Sequence, residues 1–543
     1  MSNGIYNVPI PKNEPVYGYA PGSPEREKLK ATLAELRSKE IEVPLYIGNQ
    51  QIRTNKKVAI TPPHDHQHVL GYFYEGGPEH VTEAIEVALQ ARHAWAVLPW
   101  QQRLAIFLKA AELSATKYRY LLNASTMLGQ SKNAFQAEID AACEWVDFLR
   151  FNVAFATEIY RNQPISPDPT IWNQVEYRPL EGFVFALTPF NFTAISGNLP
   201  ASAAMMGNVV VWKPAPTQMY SAYVLMQILK EAGLPDGVIN LIQGDGPMIG
   251  DLVFSHSEFA GIHFTGSTAV FKTIWKNIGS HMDSYRYYPR IVGETGGKDF
   301  MLAHESADVK AYAANLLRAA FEFQGQKCSA ASRAYIPTTL WESVWSEMKA
   351  MLETMKVGPT EDFSNFVNAV IDERAFQKIT GFIERARQNS ANEIIWGGTY
   401  DSSKGWFIDP TLILTTDPHS ETMEQEIFGP VLTIYLYEPT QFEETLSLID
   451  RTSPYALTGA IFSQDRYAID LASRKLVNSA GNFYVNDKCT GAVVGQQPFG
   501  GARGSGTNDK AGSMQNLLRW VSARTIKEGF VPATDYRYPF LAE

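Results

Sequence analysis

Gly182-Phe-Val-Phe-Ala-Leu187, Asn208-Val-Val-Val-Trp212, Gly237-Val-Ile-Asn-Leu-Ile242, Gly261-Ile-His-Phe264 and Arg290-Ile-Val292 are the runs that decide the fold. Each is short, apolar and bounded by turn or polar residues, as a strand buried on both faces must be. Helical segments lie between them, among them 221–232 and 268–278. Strands recurring every ~20 to 30 residues with helices between them predict a doubly wound parallel sheet. Ligands of such sheets bind beyond the carboxyl ends of the strands.

Outward from this stretch, a second alternation starts near Asp299 and runs to about Asn486, with helices expected at 307–323, 340–355 and 373–389. Two α/β units therefore meet close to residues 294–297, and a domain junction is a common place for a site. Upstream, apolar residues recur at three and four over 81–127 and 136–152, Ile139, Cys143 and Val146 among them, and predict amphipathic helices. The stretch 162–170 holds three prolines and cannot be helical. Residues 171–178 then read as a strand. The expected division is 1–162 (an irregular arm with one helix near 24–38, then helices of the first unit), 163–181 (an excursion) and 182–293 (the first sheet). It continues with 294–486 (the second unit), 487–515 (a return loop) and 516–543 (a C-terminal segment).

The chain's 543 residues are too many for one compact core. A net charge of −10 gives no basic footprint, so nucleic acid is not an expected partner. No apolar run approaches the ~18 residues of a membrane span. The start, Met1-Ser-Asn-Gly-Ile-Tyr6, lacks the basic end and apolar core of a signal peptide. Cys143, Cys328 and Cys489 are too few and too scattered for a disulfide framework or a zinc cluster, which points to a reducing compartment. The expected location is the cytoplasm, or the mitochondrial matrix for a chain whose presequence has been removed.

Chemistry concentrates at few places. Cys328 lies in Phe323-Gln-Gly-Gln-Lys-Cys-Ser329, and Glu294 opens Glu294-Thr-Gly-Gly-Lys298. A cysteine in a glycine-containing loop with a distant carboxylate suits thiolate attack assisted by a general base, although most free cysteines are packing residues. Asn191, after the strand ending at Leu187, can aim an amide at an oxyanion or cap the next helix. Gly266 and Ser267 stand where a strand turns into a helix, a place that holds phosphate. Lys213 ends another strand. The dinucleotide fingerprint Gly-X-Gly-X-X-Gly is missing from these turns, and Gly244-Asp-Gly-Pro-Met-Ile-Gly250 is one residue too long. His64-Asp-His-Gln-His68 follows Thr61-Pro-Pro63 and has no nearby fourth ligand, so it reads as a polar turn and no metal is expected.

In this order and spacing the pieces resemble the aldehyde dehydrogenase superfamily, matching from about residue 40 to the end: Pro189-Phe-Asn191, Trp212-Lys-Pro214, Phe264-Thr-Gly-Ser267, Glu294–Lys298, Gly325-Gln-Lys-Cys328, Glu426-Ile-Phe-Gly-Pro430 and Pro498-Phe-Gly-Gly501. The stretches Phe321–Ser329, Gly481-Asn-Phe-Tyr-Val-Asn-Asp-Lys488 and Gly495-Gln-Gln-Pro-Phe-Gly-Gly-Ala502 are similar to its branch for L-glutamate γ-semialdehyde, the open form of Δ1-pyrroline-5-carboxylate. The resemblance implies an α/β fold of two doubly wound domains plus a small oligomerisation element, with 182–293 binding NAD and 294–486 catalytic. It implies Cys328 as nucleophile, Glu294 as base and Asn191 as oxyanion donor. It implies Thr188, Lys213, Gly266, Ser267, Glu426 and Phe428 at NAD. Ser329, Gly491 and Ala492 would hold the substrate carboxylate, Phe192 and Phe499 would wall its carbon chain, and Glu138 would meet its amino group. A homodimer or larger homo-oligomer is expected, built through 163–181 and 516–543, and association with proline dehydrogenase is a further partner the branch suggests. The implied reaction is NAD-dependent oxidation of the semialdehyde to L-glutamate, the last step of proline catabolism.

Three positions depart from the superfamily pattern. Phe271 stands where many members carry a second glycine. Pro216 stands where NAD-preferring members often place an acid, which weakens the case against NADP. Ala492 stands where the branch often has serine. The alternatives are a dehydrogenase for another acidic semialdehyde such as succinic semialdehyde, a thioesterase, and a non-catalytic protein of the same fold.

Overall fold

The five apolar runs become five parallel neighbours in a seven-stranded sheet. In the computed structural model the order is Arg290–Glu294, Phe259–Thr265, Phe183–Leu187, Val209–Lys213, Ile239–Leu241, Leu45–Ile47 and Gln50–Ile52. The first five pair in parallel, and the last two run antiparallel. The chain moves outward from Phe183–Leu187 in one direction, then returns to lay Phe259–Thr265 and Arg290–Glu294 on the other side. The order therefore reverses between Phe183–Leu187 and Phe259–Thr265, whose carboxyl ends open a crevice. The structure describes residue 4 and residues 6–541; Met1–Asn3, Ile5, Ala542 and Glu543, at the limits of the two terminal segments, lie outside the described residues.

A second seven-stranded sheet follows in the order Asn392–Trp396, Thr411–Thr415, Val431–Tyr437, Ala331–Pro337, Asp299–Ala303, Thr458–Phe462 and Asn482–Val485. Only the pair Asn392–Trp396 and Thr411–Thr415 is antiparallel. Buried apolar side chains sort the same way. One cluster gathers residues up to Val292 with Val494, Leu517, Trp520 and Val521, and the others begin at Phe300. Cys489 still packs in the second unit, and from Val494 on the chain's buried apolar side chains join the first sheet's unit.

Two local results differ from, or add to, the periodicity reading. The helix expected over 136–152 is interrupted: Ala134–Ala137 is α-helical, Glu138–Glu144 is a π-helical turn and Trp145–Arg161 is α-helical again. Such turns add a residue to the helix and cluster at functional sites, and a 3.6-residue period cannot reveal one. The helix after Gly266 starts at Thr268 with Ser267 as its cap. Phe271 stacks on Phe264 with ring centroids 5.2 Å apart and planes 6° apart. Its ring lies so close to Gly293 that a Cβ there would collide with it. The bulk gained at 271 is accommodated by the side chain missing at 293.

Ile171–Pro179 and Val521–Gly529 pair antiparallel along their whole nine-residue lengths as a two-stranded ribbon. The prolines of 162–170 end the preceding helix at Arg161 and turn the chain into this ribbon.

Candidate active site

The carboxyl ends of the first sheet bring the expected cofactor residues together. Leu187 and Lys213 are register partners, and Thr265 faces Glu294 across the next pair. Lys213 is buried, and its Nζ makes no hydrogen bond among the described residues. Burial lowers its pKa to about 8 against the pull of the Glu75 and Asp245 carboxylates. Gly266 donates its N–H to the Glu294 carbonyl at 3.2 Å, and a Cβ at 266 would stand 2.7 Å from the Phe264 ring. Ser267 is exposed and accepts from the Val270 N–H at 3.3 Å. Thr188 is committed differently: its hydroxyl accepts from Trp212 Nε1 at 3.1 Å and pairs with Ser196 Oγ at 2.9 Å. Its backbone N–H donates to the Lys213 carbonyl at 3.1 Å, so a cofactor contact at Thr188 falls to its carbonyl.

The second sheet presents its opposite edge. Gly296 and Gly297 enter strand Asp299–Ala303 and Cys328 enters strand Ala331–Pro337, both at the amino ends. Getting Cys328 there demands an unusual loop. Helix Val309–Phe321 stops, and Phe323, Gln324 and Gly325 follow at φ +50°, +54° and +65°. Left-handed backbone costs a non-glycine residue roughly 1–2 kcal/mol, so the loop needs anchors. Gln324 donates to the carbonyls of Ser131 at 2.9 Å and Ala369 at 2.8 Å. Gln326 Oε1 accepts from Ile371 N–H at 2.9 Å, and Lys327 pairs with Glu322 at 2.9 Å, both buried. At Gly325 a side chain would run into the Gly429 carbonyl.

The three catalytic candidates converge on this loop. Asn191 is buried and donates one amide hydrogen to the Gln326 carbonyl at 3.1 Å, which leaves its second donor unused by this bond. Glu294 Oε2 accepts from the Gly501 N–H at 3.2 Å. Burial drives its pKa well above the ordinary carboxylate range, Asp509 adds to the rise and Lys510 opposes it. Cys328 is half-buried. Burial pushes its thiol up, and the carboxylates of Asp299, Glu294 and Glu426 push the same way. Glu426 Oε1 accepts from the Gly297 N–H at 2.9 Å, and any side chain on Gly296 would strike its carboxylate. Phe428 sits at φ +63° with its ring edge-on to Phe190 at 5.9 Å. Residues from both units thus face one crevice.

Directly after Cys328, Ser329 Oγ lies 2.8 Å from Thr490 Oγ1, and both are buried. Gly491 follows at φ +93°, and Lys488 Nζ stands 3.0 Å from where a Cβ on it would be. Ala492 and Phe499 are half-buried. Phe192 lies under the Lys132 ammonium at 4.2 Å. Lys488 and Thr490 were not singled out individually in the sequence; only folding places them beside Gly491 and Ser329.

Glu138 is a correction. Both of its oxygens are spent inside the protein, on Arg119, on the Asn123 amide at 2.6 Å, on the Tyr19 hydroxyl at 2.7 Å and on the Tyr17 N–H at 2.9 Å. The Cys143 thiol adds a fifth partner at 3.7 Å, and a fully buried carboxylate so engaged has nothing left for a substrate amine. Glu144, the last residue of the π-helical turn, is a second acid of this segment. Glu144 makes no hydrogen bond among the described residues, and its pKa is raised by burial and by Asp140, while Lys132 and Lys327 lower it.

The His64–His68 run does not converge on a metal. His64 bonds Ser131 Oγ at 2.9 Å and pairs with Glu361 at 3.0 Å, while His66 stacks on Trp406. Among the described residues no group of three His, Cys, Asp or Glu side chains could hold a metal ion, and no helix is long and apolar enough to cross a membrane. A cavity of about 530 Å³ opens elsewhere, at the amino edge of the first sheet between Arg92, Arg178 and Arg290.

The aldehyde dehydrogenase family profile matches residues 51–526. The mitochondrial Δ1-pyrroline-5-carboxylate dehydrogenase of Dictyostelium discoideum is 53% identical over 539 residues, 99% of this chain and 97% of that protein. The Δ1-pyrroline-5-carboxylate dehydrogenase of Agaricus bisporus is 54% identical over 536 residues, 98% of each. The crystal structure of the Δ-pyrroline-5-carboxylate dehydrogenase of Mycobacterium tuberculosis bound with NAD superposes at a TM-score of 0.96, with 50% identity over 100% of both chains. With a parallel-sheet crevice, a strained cysteine loop and kinship along its whole length, the chain belongs to the aldehyde dehydrogenase family and, within it, to the Δ1-pyrroline-5-carboxylate dehydrogenase branch.

Proposed function

We propose that the protein oxidises L-glutamate γ-semialdehyde to L-glutamate with NAD, closing proline catabolism. The observation that carries the reading is that the Cys328 loop meets the Asn191 amide at the Gln326 carbonyl on one side and continues, on the other, into Ser329, whose hydroxyl pairs with that of Thr490. The crevice suits NAD: Lys213 offers a buried ammonium with no protein hydrogen bond, Gly266 keeps the turn clear and Glu426 is an acceptor for ribose hydroxyls. When bound, NAD accepts the hydride that the substrate carbon gives up.

The chain's own residues do the rest. Burial holds Cys328 as a thiol at rest, so it loses its proton to solvent as the S–C bond forms. The second Asn191 amide hydrogen and the Cys328 N–H receive the oxygen that gains charge in the thiohemiacetal. Hydride loss leaves a thioester on Cys328. Glu294 takes a proton from water, the resulting hydroxide adds to the thioester carbon, and the C–S bond breaks to release the acid and regenerate the thiol. Ser329, Thr490 and the Gly491–Ala492 backbone hold the α-carboxylate, with Lys488 adding charge. Phe192 and Phe499 flank the carbon chain. Glu144, in the role first expected of Glu138, receives the ammonium group.

NADH formation from NAD and Δ1-pyrroline-5-carboxylate tests the reading. The semialdehyde should exceed pentanal at least ~tenfold in kcat/KM, because a site built to pair charged groups penalises their absence. L-Glutamate should compete. Equal use of pentanal with no inhibition by glutamate sinks it, and succinic semialdehyde in the same panel separates the other acidic substrate. A two-stranded ribbon is marginal alone, and Trp172 on it is 53% exposed. A second copy of the chain is the partner that fits it, which sedimentation of the intact protein checks.

A further inference from the structure

Lys132 is fully buried, yet its ammonium touches both halves of the active site. It follows Ser131, held at φ +57° where helix Arg119–Gln130 ends. Its Nζ pairs with Asp140 Oδ2 at 2.6 Å. The same nitrogen lies 4.2 Å from the centre of the Phe192 ring and 4.5 Å from that of Phe323. Phe192 adjoins Asn191 on the first unit, and Phe323 belongs to the strained loop five residues before Cys328 on the second.

Asp140 completes the link. Its two oxygens accept the N–H groups of Thr193 and Ala194, each at 3.0 Å. These open the helix Thr193–Met205, which starts directly after Phe192. A carboxylate at a helix N-terminus is favourable, and a cation against two aromatic faces is attracted by both. Glu144 and Lys327 also act on Lys132, and Lys327 is itself paired with Glu322. An ion pair buried only to fill space is often no better than apolar residues of the same volume. Here the pair makes directional contacts on two elements that must keep their spacing.

We propose that Lys132 and Asp140 are positioning residues that lock Phe192 against Phe323 and so fix the Asn191 amide relative to the Cys328 sulfur. The proposal rests on the reading of Cys328 and Asn191 as the reacting groups.

Lys132→Met in the full-length enzyme removes the charge and keeps much of the volume. With reacting groups misplaced, kcat should fall about tenfold or more and KM for the semialdehyde should rise about threefold, while the Kd for NAD stays within about twofold. Phe323→Leu leaves the ion pair intact and should show the same split, so it decides alone if Lys132→Met does not fold. The double variant should be little worse than the worse single one, because both break one contact. A change of about fivefold in the rate at which iodoacetamide alkylates Cys328, followed by mass spectrometry, is expected in both variants. Alkylation needs no substrate, so it reads the positioning even if the wild-type protein fails to oxidise Δ1-pyrroline-5-carboxylate, which would overturn the functional reading alone. Unchanged alkylation and kinetics with only a lower melting temperature, or fully additive losses in the double variant, would overturn the positioning role.

Discussion

The two sheets offer opposite edges to one crevice. The first meets it with the carboxyl ends of its strands, where Lys213 and Gly266 sit on short turns that continue into helices. The second meets it with its amino ends, and its loops hold backbone that the first does not need: Phe323, Gln324 and Phe428 are all non-glycine residues at positive φ. Binding a dinucleotide asks only for open N–H groups and one or two well-placed side chains at a place the topology already provides. Placing a nucleophile within reach of a base and an oxyanion donor asks for fixed geometry, and the strain is spent there. The lesson is a division of labour with crossings. In this reading substitutions at Lys213 and Gly266 should weaken NAD binding and substitutions in the cysteine loop should slow chemistry with NAD binding intact, while Asn191 and Glu294 serve chemistry from the first edge and Glu426 serves NAD from the second.

The sharpest break of that comparison is Cys328→Ser. Dehydrogenase activity is expected to fall at least ~1,000-fold, because a hydroxyl at neutral pH is a far poorer nucleophile than a thiolate. NAD affinity by calorimetry should stay within about twofold, since the lost sulfur makes no cofactor contact in this reading. Retention of more than a few per cent of the turnover would remove Cys328 from the mechanism.

Asn191→Ala tests a first-edge residue that serves chemistry. Loss of an oxyanion donor should lower kcat about a hundredfold, roughly 3 kcal/mol, with little change in KM. The Gln326 carbonyl also loses its 3.1 Å donor in this variant. A pure KM effect would make Asn191 a substrate-positioning or helix-capping residue.

How much of this was legible beforehand follows the same division. The first sheet could be read strand by strand, because a buried parallel strand is a local apolar run and its carboxyl end is a fixed address. Cys328 and Glu294 could be read as motifs. Their electrostatic reach could not, since it depends on a return loop that brings Gly501 to Glu294 from 207 residues away. Glu138 failed for a different reason. In the π-helical turn Glu138–Glu144, Glu138 is spent on Arg119, Asn123 and Tyr19, and no residue type announces it. Lys132 was invisible for a third reason. A lysine after a helix reads as solvated, and only the Asp140 carboxylate and two distant rings make it a buried one.

Glu294→Gln probes, through pH, the other first-edge residue that serves chemistry, at the carboxyl end of strand Arg290–Glu294. Burial raises the Glu294 pKa, so the folded protein favours its protonated form. Stability from this group is present at low pH and declines as pH rises from the unfolded carboxylate value toward the folded one. The glutamine variant escapes that loss, so its melting temperature should gain more on wild type at pH 8 than at pH 5. Thioester hydrolysis in the wild type should speed up with pH as Glu294 deprotonates, and the variant should lose that rise and show a first-turnover burst of NADH followed by a steady rate at least ~tenfold slower. Loss of the burst together with the steady rate would place Glu294 in the activation of Cys328. A melting difference independent of pH would mean that the carboxyl is not held neutral.

Lys213→Met is the mildest test and belongs wholly to the first edge. Removing one charge-assisted hydrogen bond to a ribose should raise KM for NAD about tenfold, from roughly 1.5 kcal/mol, with kcat nearly unchanged. The wild type carries its own control. Burial lowers the Lys213 pKa to about 8, so the free enzyme loses this cation as pH passes that value, and KM for NAD should climb above it. Methionine cannot titrate, and its KM should stay high and flat over the same range. A fall in kcat at constant KM would move Lys213 from the cofactor to the chemistry, and the two edges would no longer divide the work.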